Sequence, residues 1–397
     1  MSQQVLSGVR VVDFSRYIAG PYCATLLGHL GADVVRVEKR GGAEDRHVTP
    51  LQSSGESIGA LFQQTGANKR SLTLDIKHPE ARSIIEKLVA GADVVIANMP
   101  PAALQRAGLD YETISKINPR VILTTQTGYG HLGPWANRGG FDGVGQAMSG
   151  AAYFAGEPDQ PVKSAAPYAD FGTALFGAYA TLAALIERDR TGKGQHIQAS
   201  LLGTALALFN PLLTEHAATG IERQPTGARS QTSAPSSIFK TADGHVLIHV
   251  VGEGLFARAA KAIGADGWIE DPRFAGDQAR GDHSAEICRQ MSEWCGHRTS
   301  AEVLEVLNQT GVPCGPVLPI AEVLEHEQIK AMQLVNGFSV PGLEGEVPVV
   351  DFPVSMSESD VGHKRRAPMI GEHSVEILEE LGFSTQNIAH FEGDGVI

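Results

Sequence analysis

The chain has 397 residues, 42% hydrophobic and 19% charged, the composition of a folded protein with room for about two domains. Its formal net charge of -13 argues against nucleic acid or an anionic membrane as a general partner, because both need a basic surface. One local basic pocket for a single anionic ligand remains compatible with that charge.

Val9 to Phe14 reads as a buried strand, and Gly20-Pro21 turns the chain into a helix over Tyr22 to Leu30. Gly31 ends that helix, and Asp33 to Glu38 is the next strand, which makes a βαβ unit. A helix over Pro79–Ala90, a strand over Asp93–Ala97, a helix over Tyr111–Ile117 and a strand over Pro119–Thr125 continue the alternation. That order predicts an α/β fold with an open sheet. Gly128 to Pro134 and Gly139-Gly140 form glycine-rich loops of the kind that line sites. A helix is expected over Phe141–Ala152, a long apolar one over Phe171–Arg190, and a strand over Gln195–Ala199. The polar stretch from Gly220 to Ser237 reads as a linker. A second unit follows, with a strand at His245–Val251 and helices near Leu255–Ile263, Ser284–Cys295, Ala301–Gln309 and Ala321–Met332. Val347 to Val354 returns to strand, with Pro348 and Pro353 marking an edge. Ser374–Leu381 is a late helix. No apolar run reads as a membrane span, and Met1 to Gly8 lacks a secretory pattern, so a cytoplasmic location is expected.

The four cysteines, Cys23, Cys288, Cys295 and Cys314, have no CxxC spacing and read as reduced packing thiols. None of the fourteen histidines falls in HExxH or another tight ligand pattern, so no metal site is expected. Glu38 ends the second strand where a ribose-binding acid would sit, yet the turn Arg16-Tyr17-Ile18-Ala19-Gly20-Pro21 lacks GxGxxG. GxxxxGK[ST] and GxSxG are absent too. Basic residues gather near strand ends at Lys39-Arg40, Lys69-Arg70, Lys77 and Arg106, which together suggest an anion site for a phosphorylated ligand. Asp170, in Pro167-Tyr168-Ala169-Asp170-Phe171-Gly172-Thr173, is a lone carboxylate at the mouth of the long apolar helix. Spacing alone favours a helix cap; freed from that duty, the same group is a nucleophile for an acyl carbon.

Several short motifs, in this order and spacing, resemble the class III, formyl-CoA transferase-like CoA-transferase family. They are Leu6-Ser7-Gly8 through Ala19-Gly20-Pro21, Leu30 through Glu38, and Asn68-Lys69-Arg70-Ser71-Leu72-Thr73-Leu74-Asp75. Gly128-Tyr129-Gly130, Tyr168-Ala169-Asp170, Thr191-Gly192-Lys193-Gly194-Gln195 and Ala367-Pro368-Met369-Ile370-Gly371-Glu372-His373 complete the match. The resemblance implies a Rossmann-like large domain (1–200 and 330–397), a linker (201–224), a smaller α+β domain (225–329) and an interlocked homodimer. It implies transfer of CoA from an acyl-CoA to a carboxylic acid through an aspartyl anhydride and an aspartyl-CoA thioester, with Asp170 catalytic and no tightly bound cofactor. By the same resemblance Tyr17, Ile18, Ala19, Lys39, Leu74, Lys77, Asn98, Met99, Ala103 and Arg106 contact CoA, and Tyr129, Phe141 and Asp142 lie near the acid. The family also contains α-methylacyl-CoA racemases, which place a histidine where this chain has Phe141. A racemase needs a base on each face of the α-carbon, so transfer is favoured. A CoA-binding protein without catalysis is the reading from another class. Ile18 and Phe141 depart from the formyl-CoA pattern and leave the acid open. Gly252-Glu253-Gly254 is a candidate for oxyanion stabilisation.

Overall fold

A computed structural model describes residues 4–51 and 58–397, so residues 1–3 at the start of the leader reading lie outside it. The chain divides into two compact units. The first contains 4–51, 58–149, 164–214 and 332–397, and its centre is a six-stranded parallel sheet. The strands are β1 (Arg10–Asp13), β2 (Asp33–Glu38), β3 (Lys69–Thr73), β4 (Val94–Ala97), β5 (Ile122–Thr127) and β6 (His196–Ser200). Their spatial order is β3-β2-β1-β4-β5-β6. Strand order reverses between β1 and β4, and such a switch point opens a crevice at the carboxyl ends of the strands.

Both faces of the sheet's centre are covered, which explains the near-continuous apolar runs of β1, β2 and β4. Side chains alternate faces, so Val12, Val35 and Val95 join one core with Ile84, Ile85, Leu88 and Phe391. Val11, Val34, Val94 and Ile96 join the other with Leu26, Leu27, Ala174 and Ala178. Each fully buried Leu or Ile contributes about 1.5–3 kcal/mol.

The pattern reading missed β3, because Lys69-Arg70-Ser71 is polar. Both cations are buried in it and paired, as buried charges must be. Lys69 Nζ donates to Asp13 at 2.8 Å and to the Pro21 carbonyl at 2.7 Å. Arg70 binds Asp33, Glu376 and Glu380 at 2.7–2.8 Å. These two residues hold the sheet together, so the expected anion cluster loses them.

The Tyr168–Thr191 helix starts three residues before the expected Phe171 and ends on Gly192 in the left-handed conformation. By length and composition it could cross a membrane, contrary to the sequence reading; half of its apolar window is buried, and it packs against β5 and β6. The stretch read as linker carries two helices, Leu201–Leu208 and Asn210–Thr219, the first capped by Ser200. Pro348 lies in the antiparallel pair β10 (Val335–Ser339) and β11 (Glu346–Val350).

The second unit spans 150–163 and 215–331. Its antiparallel sheet has β8 (His245–His249) between β7 (Ser236–Lys240) and β9 (Cys314–Pro316). Phe239, Phe256, Trp268, Phe274, Ile287 and Met291 form its core with the Glu253–Ala262, Ser284–Gly296 and Ser300–Gln309 helices. A Thr299–Glu302 capping box starts the last of these. The helix expected over Ala321–Met332 is two short ones, Ile320–Glu325 and Glu327–Ala331.

Candidate active site

The turn after β1 is built by buried polar groups. Asn98, one residue past β4, accepts from the Arg16 N–H at 3.0 Å and donates to the Arg16 carbonyl at 2.6 Å. Asp45 accepts from the Tyr17 N–H at 2.9 Å and holds Arg36 at 2.7 Å. Tyr17 has φ +66°, a strained conformation that costs on the order of 1–3 kcal/mol and persists where surrounding bonds impose it. Gly20 is required in this turn, because a Cβ there would stand 2.2 Å from the Ser15 Cβ. Glu38, the expected ribose-binding acid, is engaged by the fold: Arg46 donates to its two oxygens at 2.6 and 2.7 Å and Ser71 to Oε1 at 2.7 Å. Burial raises its pKa, but Arg46, Arg36 and Ser71 outweigh this and bring it down to about 2.

At the switch point lies a cavity of about 370 Å³. Tyr17, Ile18, Ala19, Asn98, Met99, Phe141 and Asp170 line it. A second cavity of about 540 Å³ is walled by Lys39, Leu74, Lys77 and again Met99. The two share Phe14, Arg16, Ile76 and Met99. Tyr129, Asp142, Ala103 and Arg106 line neither; the last two lie on the Pro101–Ala107 helix. Lys39 and Arg16 both pair with Glu44, at 2.5 and 3.1 Å, while Lys77 is exposed. Gly128, Gly139 and Gly140 contribute backbone to the first cavity, as loops of that composition suggested. Phe141 is 61% exposed and meets Tyr17 edge-on at 5.2 Å.

Asp170 sits in the first turn of its helix, and the cap it was expected to provide comes from Asp142. Asp142 Oδ1 accepts the N–H groups of Ala169 at 2.8 Å and Asp170 at 3.2 Å, and Gln146 donates to Oδ2 at 2.5 Å. The Asp170 carboxylate is thereby freed from capping and reaches the cavity at 8% exposure. Burial, then the nearby Asp142 charge, pushes its pKa up to about 7; a hydrogen bond to the Asp170 carboxylate from the Asp142 backbone N–H opposes the rise. A carboxylate poorly solvated in this way is a stronger base and nucleophile than one in water.

Pattern reading overlooked Arg16, Gln126 and Arg138, which also line the first cavity. Only Gln126 carried a signal, a long polar side chain in an otherwise buried strand. Elsewhere, Gly252 donates its N–H to Asp277 at 2.8 Å, so it has no free donor for an oxyanion. Cys23 is buried and its thiol is pushed up to about 12 by burial. His29, Asp351 and His363 come together away from any histidine motif. Asn68 Oδ1 accepts from the Lys364 and Arg365 N–H groups, so its Nδ2 faces His29 Nδ1 at 3.3 Å as a donor. The His29 proton therefore sits on Nε2, and that nitrogen is not set to ligate a metal.

Residues 6–374 match the model of CoA-transferase family III. The chain belongs to that family. Like its members, it transfers CoA between acyl-CoA thioesters and acids, with the thioester as substrate. This family III CoA-transferase is 34% identical to a succinate–glutarate CoA-transferase of Agrobacterium fabrum, over 95% of each chain. It is also 34% identical to the beta subunit of a succinyl-CoA–L-malate CoA-transferase of Chloroflexus aurantiacus, over 99% of this chain and 98% of the other. The crystal structure of a CAIB/BAIF family protein from Brucella suis superposes with a TM-score of 0.81 at 34% identity, covering 95% of this chain and 99% of that one.

Proposed function

We propose that this CoA-transferase exchanges CoA between a succinyl-CoA-like donor and a short dicarboxylic acid, with Asp170 as the covalent nucleophile. The observation that carries the reading is a buried carboxylate with its pKa at about 7 in the wall of the switch-point cavity. Succinate or its CoA ester is named in both curated relatives quoted above, which supports the substrate class. Lys39, Lys77 and Arg106 would face the phosphates of CoA. Tyr17 to Ala19, Leu74, Asn98, Met99 and Ala103 would flank its adenine and pantetheine.

An Asp170 oxygen attacks the thioester carbon, the C–S bond breaks, and CoA leaves as a thiolate, giving a mixed anhydride. The thiolate attacks the Asp170 carboxyl carbon and releases the donor acid as a carboxylate, leaving an aspartyl-CoA thioester. The acceptor carboxylate then displaces CoA thiolate from that carbon. Attack of the thiolate on the acceptor's carbonyl forms the new acyl-CoA and returns Asp170. Each step exchanges one activated acyl bond for another, which is what covalent catalysis contributes. A two-base racemase is less well supported, since Phe141 carries no proton and Asp142 is occupied as a cap. The exposed apolar face of the Tyr168–Thr191 helix supports a homodimer.

Mass spectrometry after incubation with succinyl-CoA and hydroxylamine should place a hydroxamate on Asp170. Asp170→Asn should lower transfer by more than about 10³-fold, the order expected on losing a covalent nucleophile. An unlabelled Asp170 with normal turnover would refute the reading, and an unlabelled protein with no turnover would leave a CoA-binding protein.

A further inference from the structure

The second cavity has four cations in its wall, Arg16, Lys39, Arg40 and Lys77. Arg16 and Lys39 share the Glu44 carboxylate, at 3.1 and 2.5 Å, which offsets part of their charge. Of the other acids in that wall, Glu38 is held by Arg46, and Asp75 accepts the backbone N–H of Lys77 at 3.0 Å. Arg40 and Lys77 are both exposed, and among the described residues no carboxylate pairs with either side chain. The unbalanced positive charge of this wall therefore stands at these two positions. Lys77 is already assigned to CoA; Arg40 is not.

The guanidinium of Arg40 rests against Gly395, which lines the same cavity. A Cβ at Gly395 would stand 2.5 Å from Arg40 Nη1 and 3.5 Å from Cζ, so the charged end of the side chain lies at that wall, not its stem alone. Gly395 has φ +77°, a conformation that favours glycine. The next carbonyl, of Val396, accepts the Asp75 N–H at 2.8 Å, and the Leu74 N–H donates to the Glu38 carbonyl at 2.7 Å. The C-terminal turn and the ends of β2 and β3 thus form one support for Arg40.

The two cavities order these groups. Asp170 lines the first alone, Arg16 lines both, and Arg40 lines the second alone, beyond Arg16 as seen from Asp170. CoA has the same order: thioester, pantetheine, diphosphate, then a ribose with a phosphomonoester at C3′. With the thioester beside Asp170, the monoester is the group that reaches Arg40. A phosphomonoester is close to a dianion at pH 7, and a guanidinium fork binds such a group with two parallel hydrogen bonds.

We propose that Arg40 is a specificity-determining residue that binds the 3′-phosphate of CoA and so selects CoA thioesters over their 3′-dephospho counterparts. The inference rests on the thioester being seated beside Asp170. The test is calorimetric binding of CoA and 3′-dephospho-CoA to wild type, Arg40→Gln and Arg40→Lys at one ionic strength. A charge-assisted contact of this kind corresponds to about tenfold in affinity or more. Wild type should prefer CoA by about that factor, and Arg40→Gln should lose the preference through weaker CoA binding, with dephospho-CoA unchanged. Arg40→Lys keeps the charge without the fork and should fall between the two. The CoA affinity of Arg40→Gln should also depend less steeply on salt than that of wild type. In turnover the same variant should raise KM for succinyl-CoA and leave kcat and Tm as they are, since the side chain is exposed and touches no reacting atom. Equal weakening of both ligands would move Arg40 to the diphosphate and overturn the proposal. A wild type that binds both ligands alike, or a Gln variant that keeps the preference, overturns it too. These binding constants need no covalent step, so a failure of Asp170 as nucleophile stays distinct from a failure here.

Discussion

At Asp170 an ionisable side chain is held out of water at a cost to the fold. Its carboxylate is desolvated and lies near a second carboxylate, while the helix end beside it is already satisfied by Asp142. An ionised nucleophile with a pKa of about 7 predicts that kcat/KM falls tenfold per pH unit below pH 7, and a pH–rate profile measures this. A profile flat down to pH 5 would show a carboxylate with an ordinary pKa. The sign for stability follows from the same shift. The folded pKa lies above the unfolded 3.8, so the native state holds this proton more tightly. Its contribution is present below pH 3.8 and is lost as pH rises through 7. The loss is at most about 4 kcal/mol at 1.36 kcal/mol per pH unit. Asp170→Asn should therefore raise Tm by several degrees at pH 8 and leave it nearly unchanged at pH 4, as thermal melts at the two pH values will show.

Among the elements, β3 is the one whose stability depends on charge. Lys69 is wholly buried, and burial lowers its pKa while the Asp13 carboxylate opposes that shift. The same ammonium group bonds the Pro21 carbonyl, so it ties an edge strand to the first turn of the Ala19–His29 helix, whose Ala19 lines the cavity. Lys69→Met leaves Asp13 buried without its counter-charge. Breaking such a pair typically costs about 3–5 kcal/mol. A urea midpoint that falls accordingly, with the denaturant slope unchanged, is expected; a midpoint within error of wild type would mean that water reaches Asp13. Because Asp13 also fixes Ser15 ahead of the Arg16–Tyr17 turn, the variant should also weaken CoA binding.

For the whole molecule, the Tyr168–Thr191 helix leaves one face uncovered. Leu175 (55% exposed), Phe176 (46%), Tyr179 (74%) and Ile186 (74%) lie on it, more apolar surface than a lone monomer's helix usually shows water. Burial of that face by a second copy predicts a solution mass twice the chain's 42.1 kDa. Light scattering coupled to size exclusion measures it. A 42.1 kDa species at micromolar concentration would rule the dimer out.

Much of the fold was legible from period and punctuation alone. β2 and the Tyr111–Ile117 helix stand where the pattern put them, because apolar runs and glycine stops are local signals. The order of those signals also determined the open α/β sheet, since parallel strands need crossover helices. Asp170 was visible as a charge where charges are rarely placed, and the family motifs around it made it a candidate nucleophile. What the sequence left open was which of two carboxylates caps the helix. Asp142 takes that task from twenty-eight residues away, a contact that no local pattern encodes. Lys69 and Arg70 read as ligand cations until folding buried them against acids distant in the chain. Burial and charge pairing depend on what surrounds a residue in space, so the tertiary structure alone decided which charges hold the sheet and which face the cavity.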